Sequence, residues 1–264
     1  MSDKPVNNNM SDKLVNNNMS DKTTNNNITI VSAFVSDVNS NRDIDKYIGY
    51  GINLLQINVS KIIFIEKDIY NNFLSNQVFN NTHFIFFEKE ENYLYNFNIT
   101  NFSITTNNSS KDTLDYLFVQ CHKTEWIKLA IENNYYNSDQ FIWLDFGIYH
   151  IFNNNQDLFD KSIYSLLDKK YDLVRIASIW NPDLIYNTNI HQNICWYFAG
   201  GVFGGNKNSL VKFADIMKNK CISYIQEHKN FVWEVNFWYL IYKENKDLFY
   251  IYTANHNPLI ILNY

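Results

Sequence analysis

From residue 28 onward the chain alternates short apolar runs with amphipathic stretches, the pattern of strands and helices taking turns. ITIVSAFV (28–35), KIIFIEKD (61–68), HFIFFEK (83–89), FIWLDFGI (141–148), YDLVRIASI (171–179) and LFYIYT (248–253) each read as a buried strand. They are short, rich in Ile, Val, Phe and Tyr, and bounded by polar residues. Apolar residues at helical spacing predict helices near 47–57, 70–79, 111–134, 209–227 and 233–243. Segment 92–110, rich in Asn, Thr and Ser, predicts a loop or weak hairpin, and CWYFAGGVFGG (195–205) predicts a turn leading into a strand. The alternation predicts an α/β fold, a Rossmann-like domain with a central, mostly parallel sheet flanked by helices.

Residues 1–27 stand apart. MSDKPVNNN, MSDKLVNNN, MSDKTTNNN is one nonapeptide written three times, with too few aliphatic residues in any copy to pack against the next. A solenoid would need apolar residues at every turn of the array. The repeat therefore predicts a disordered tail with no catalytic role, and 28–264 a single domain.

Composition narrows the classes. With 46% hydrophobic and 17% aromatic residues over 264 positions, a sizeable core can be filled, which excludes a wholly disordered chain. Three widely separated cysteines exclude a disulfide scaffold and suit a reducing compartment. A net charge of -5 gives no electrostatic footprint for nucleic acid. No apolar run has the length of a membrane helix, and the polar N-terminus is neither signal peptide nor anchor. The expectation is a soluble, cytoplasmic protein, placed in host cytoplasm or a viral factory if viral. The 43 asparagines, and 20 lysines against the two arginines Arg42 and Arg175, read as translation of an AT-rich genome such as that of a large DNA virus or a protist. Asparagine abundance therefore says little about chemistry.

Four places can carry chemistry. Asp145 closes the apolar strand FIWL just before Phe146-Gly147, and ligands of open α/β sheets bind beyond the carboxyl ends of strands. The alternative is an Asp that caps the next turn. Four of the seven glycines fall between Gly200 and Gly205, where backbone needs positive φ or close approach. Paired glycines between aromatic residues suit a flat sugar ring on the backbone, or else a tight turn. Glu234 is an acid in the aromatic segment FVWEVNFWYLIY, either ionised for a purpose or placed at a helix start for the macrodipole. His256 lies beyond the last strand, where with Asp145 it could complete an oxygen and nitrogen site for a divalent metal, or be a solvated loop side chain.

Together these segments resemble the GT-A glycosyltransferases, and most closely the HtrL/YibB-like family, over most of 28–258. The resemblance is carried by Thr29-Ile30-Val31-Ser32-Ala33-Phe34 with downstream Asp37, Arg42 and Tyr47. It continues in the helix with Lys123, Trp126 and Lys128, and in Trp143-Leu144-Asp145-Phe146-Gly147-Ile148. AGGVFGG also resembles the YYxGxFFGG stretch of ABO-type retaining glycosyltransferases, which an acid-bearing helix follows, as Glu234 does here.

The resemblance implies a glycosyltransferase that moves a sugar from a nucleotide-sugar, a UDP-sugar favoured, to a glycan, protein or lipid acceptor with Mn²⁺ or Mg²⁺. It implies that Glu234 lies beneath the anomeric carbon and that Ser32, Ala33, Phe34, Gly200 and Gly201 line the donor. Arg42, Lys123 and Lys128 become candidates to neutralise the diphosphate, Arg being the better bidentate ligand. Families of this fold commonly use Asp-x-Asp on the metal, whereas this chain has Asp145-Phe146-Gly147. Asp145 then either holds the metal with His256 and the diphosphate or bonds the donor ribose. Arg175 is expected near the crevice or in a buried ion pair with an Asp. Trp196, Tyr197 and Trp238 stack on acceptor sugars or fill the core. Two rivals stand beside this reading: an inactive GT-A domain serving as a glycan-binding or virion-associated module, and a metal-dependent phosphohydrolase built from Asp145, His150 and His256.

Overall fold

The apolar runs form strands in a computed structural model, which describes residues 27–35, 43–97, 102–104, 106 and 112–264. They are β1 (Ile28–Phe34), β2 (Lys61–Ile65), β3 (Thr82–Phe86), β4 (Ser103–Ile104), β5 (Gln140–Leu144), β6 (Val174–Ser178), β7 (Phe198–Asn206), β8 (Asn230–Phe231) and β9 (Phe249–Thr253). Seven join in one sheet in the order β3-β2-β1-β5-β7-β6-β9, and β4 pairs with β8. Every neighbour pair in the large sheet is parallel except the two that β7 makes, which are antiparallel. The result is a mixed α/β, Rossmann-like domain with a mostly parallel sheet.

Helices α1 (Ile44–Gln56), α2 (Lys67–Ile69, continued as a π turn over Tyr70–Leu74), α3 (Leu114–Asn133), α4 (Gln156–Leu166), α5 (Lys207–His228), α6 (Glu234–Glu244) and α7 (Leu259–Leu262) cover both faces. Strand side chains alternate between faces. Phe141, Trp143, Val174, Ile176 and Phe203 thus pack with α3, α5 and α6. On the other face Ile28, Ile30, Ile142 and Leu144 pack with α1, α4 and α7. The two long helices are fixed at both ends. Thr113 caps α3 and Asn206 caps α5 through side-chain oxygens, and Asn134 (φ 37°) and Lys229 (φ 50°) end them in the left-handed conformation. No helix among the described residues is long and apolar enough to cross a membrane.

Some local expectations change. The helix expected over 70–79 ends at Leu74, and where 92–110 is described, Ser103–Ile104 pairs with β8, not within a hairpin. The repeat 1–27 lies outside the described residues apart from Asn27, whose amide donates to Asp139 at 2.9 Å. Arg175 is neither at the crevice nor in an Asp pair. It pairs in register with Gly204, one position from the Phe141–Gly205 pair, at the end of the sheet away from Asp145. There its guanidinium lies 4.4 to 4.8 Å from the ring centroids of Tyr171, Tyr250 and Tyr252 and donates to the Asn263 carbonyl at 3.1 Å. Cation–π contact and carbonyl bonds take the place of a carboxylate.

Candidate active site

The site is built at the carboxyl end of β5. Phe141 and Trp143 face the α3 and α6 layer, so alternation sends Asp145 the same way. The Trp143 indole N–H accordingly donates to Asp145 Oδ1 at 2.8 Å. The Ser32 hydroxyl of β1 donates to the Leu144 carbonyl at 2.6 Å, fixing the strand end directly before the acid.

Lys123 reaches this point from α3. Its side chain is only 3% exposed, and its ammonium lies 2.9 Å from Asp145 Oδ1 and 3.3 Å from Glu234 Oε1. It also donates to the Gly200 carbonyl at 3.1 Å. Burial alone would lower this lysine's pKa. Asp145 and then Glu234 outweigh that and hold it above the ordinary value, so the ammonium is the charge that lets two acids converge.

Glu234 opens α6, where the positive end of the helix favours a carboxylate. The turn is pinned on both sides. Trp233 donates its indole N–H to the buried Asp112 at 3.2 Å. Asn236, fully buried, accepts from Cys195 N–H and donates to the Ile190 and Asn193 carbonyls, each at 2.8 Å. Sequence reasoning took Trp143 only as part of a family segment, with no partner for its indole, and passed over Asp112 and Asn236. Asp112 shows no local signal, whereas Asn236 is a second polar residue in the aromatic segment that exposed Glu234.

The glycines have a different use from the one expected. Gly200 and Gly201 lie inside β7, not in a turn, where its pairing with β6 slips between Ile176 and Ser178. Bulges of this kind re-aim backbone and side chains beside sites. A side chain at residue 200 would collide with Glu234 Oε1, so the missing Cβ leaves room for the protein's own carboxylate. Gly201 lies under Ile148, Ile260 and Asp145 Oδ2, and its carbonyl accepts from Asp145 N–H at 3.0 Å.

The remaining expected residues divide. Ser32 is fully buried with its hydroxyl spent on Leu144, and Phe34 packs on Phe146 at 5.2 Å between ring centroids, with Ala33 between them. Arg42 lies outside the described residues. Lys128 is five residues from Lys123, about 140° round a helix of 3.6 residues per turn, and pairs with Asp215 of α5 at 2.7 Å, away from the cluster. Trp238 is fully buried, and Tyr197 stacks on Tyr239 at 3.7 Å in the core. Trp196 is half-buried against the exposed His256, with ring centroids 4.3 Å apart. His150, also exposed, bonds the Gly147 carbonyl at 2.7 Å.

Asp145 Oδ1 is taken by Lys123 and Trp143, and Oδ2 has no hydrogen-bond partner among the described residues. Among those residues no three His, Cys, Asp or Glu stand together as a metal-holding group. Asp145 Oδ2 is then a carboxylate oxygen that this bridge leaves open to a hard cation.

A Rossmann-like sheet with two acids and a lysine joined at the strand ends defines the class: an α/β domain with a polar site at the carboxyl edge of its sheet. The chain belongs to the HtrL_YibB family, described as a bacterial protein of unknown function, which matches residues 73–257 and so spans Lys123, Asp145, Gly200 and Glu234. No curated protein matches the chain. Among solved structures it is similar to 4-diphosphocytidyl-2C-methyl-D-erythritol synthase from Anaerococcus prevotii, at 10% identity and a TM-score of 0.43, covering 89% of this chain and 90% of that one. At that identity and score the likeness bears on neither substrate nor reaction.

Proposed function

We propose that this chain is a GT-A type glycosyltransferase that moves a sugar from a nucleotide-sugar, a UDP-sugar first among donors, to a carbohydrate, protein or lipid acceptor. The observation that supports the reading is the Asp145–Lys123–Glu234 bridge, set where β5 ends beside the bulged β7. Ligands of open α/β sheets lie against such strand ends.

In the transfer the acceptor oxygen bonds to the anomeric carbon, the bond from that carbon to the diphosphate breaks, and the acceptor proton passes to the departing diphosphate. Positive charge develops on the sugar and negative charge on the leaving group. Glu234, at the helix start and over Gly200, suits the first task, since a fixed carboxylate stabilises an oxocarbenium-like state. Asp145, with its side chain 38% exposed, is the more open of the two acids and suits contact with the donor. Asp145 is the residue that would hold a divalent cation, which would supply neutralisation of the leaving group.

The test is consumption of a panel of UDP-, GDP-, CMP- and dTDP-sugars with and without Mn²⁺, comparing wild type with Glu234→Gln and Asp145→Asn. Turnover of one donor by wild type, lost in both variants, is the expected result. If no donor is bound or consumed, or the variants match wild type, the reading fails. A chain that binds a donor without consuming it would be a binding module on the same fold.

A further inference from the structure

We infer that Lys123 is a positioning residue, not a ligand of the donor phosphates: it locks Asp145, Glu234 and the Gly200 carbonyl into one unit and leaves Asp145 Oδ2 as the carboxylate oxygen the ligand meets. The first half stands on geometry alone, and the second rests on the glycosyltransferase reading.

An ammonium has three N–H donors. Those of Lys123 go to Asp145 Oδ1, Glu234 Oε1 and Gly200 O, at 2.9, 3.3 and 3.1 Å. With its side chain 3% exposed, it could reach a phosphate only by giving up one of these partners, and releasing Glu234 would leave a nearly buried carboxylate unpaired. Breaking a buried pair on one side is costly. The three partners come from β5, α6 and β7, so this single side chain sets the separation of the acids and the height of the bulged strand beneath them. Tyr116 and Cys121, on α3 with it, are the other titratable groups acting on it.

Exposure orders the two acids. Glu234 is 9% exposed and lies over Gly200, whereas Asp145 is 38% exposed, with Oδ1 turned inward to Lys123 and Trp143. Oδ2 is what remains for the crevice. Charge on a bound diphosphate must then be met by a cation other than Lys123.

The experiment is a cycle of wild type, Lys123→Met, Glu234→Gln and the double variant, followed by melting temperature, UDP affinity and steady-state kinetics. Lys123→Met alone is expected to lower the melting temperature by about 10 °C, and much less in the Glu234→Gln background, because the acid it strands is gone. UDP affinity of the double variant should stay within about threefold of Glu234→Gln. Folded Lys123→Met should lose about 100-fold in kcat with KM nearly unchanged. Melting losses that simply add, or a drop in UDP affinity of about tenfold between those two variants, would overturn the inference. If the protein binds no nucleotide, the glycosyltransferase reading falls, and the melting cycle still decides whether Lys123 joins the acids.

Discussion

The carboxylate of Glu234 fills the volume that a side chain at Gly200 would need. The two residues are far apart in sequence, and the absence of a Cβ on one is what permits the position of the other. The obstructing atom is the far end of a flexible side chain, so Gly200→Ala can be accommodated by moving the acid. We expect the variant to fold with little loss in melting temperature and to lose at least about tenfold in donor turnover. Gly204→Ala is the contrast. Its Cβ would meet the Phe141 carbonyl and Ile142 Cα, backbone that cannot step aside, and it should cost about 1–3 kcal/mol or more in denaturant unfolding. Equal stability losses in the two would remove the distinction.

Lys61 ties stability to pH. It is fully buried at the start of β2 and donates to the Ile57 and Val59 carbonyls, and burial pushes its pKa from 10.5 down to about 7. Between these values the folded chain carries the neutral amine and the unfolded chain the charged one, so unfolding takes up a proton. Stability from this group is full above 10.5 and is lost as pH falls to 7. Denaturant unfolding of wild type and Lys61→Met at pH 7 and pH 9 should show the difference between them growing by roughly 2–3 kcal/mol in favour of wild type at the higher pH. A difference independent of pH would mean that this amine stays charged in the fold.

His122 is buried among Phe87, Tyr93 and Trp126, with no hydrogen bond to either ring nitrogen among the described residues, and burial pushes its pKa down to about 3. A polar ring without partners costs stability that an apolar ring of similar size does not. His122→Phe should therefore be neutral or stabilising by about 1–3 kcal/mol. Its advantage should widen between pH 6.5 and pH 3, where wild type loses stability because only the unfolded imidazole takes a proton. Melting curves at pH 7 and pH 4 make the comparison.

Asn236 holds the segment before β7 to α6 through three hydrogen bonds. Asn236→Leu removes all three of these buried bonds, and a loss of about 3 kcal/mol or more is expected. Hydrogen exchange should rise first over residues 190–196, before any change in α3. Uniform acceleration across the domain would instead indicate general destabilisation.

The sheet and its flanking helices were legible in the sequence because burial imposes period-2 and period-3.6 patterns that a single chain displays. The runs at 28–35, 61–68 and 141–148 became β1, β2 and β5, and the aromatic segment after Trp233 became α6. Asp145 and Glu234 were legible for the same reason, as acids interrupting apolar patterns. Only the tertiary structure decided what these residues do together. Strand order, the reversal of β7 and its bulge are long-range pairings with no local signature. They alone bring α3, β5, β7 and α6 to one point. Lys123 thus changed from one exposed-type cation among 20 lysines into the buried charge between two acids, Lys128 turned away by helical phase, and Gly200 made room for Glu234. Local pattern is set by which face of an element meets the core, but the partners of a polar side chain are set by the packing of elements distant in sequence.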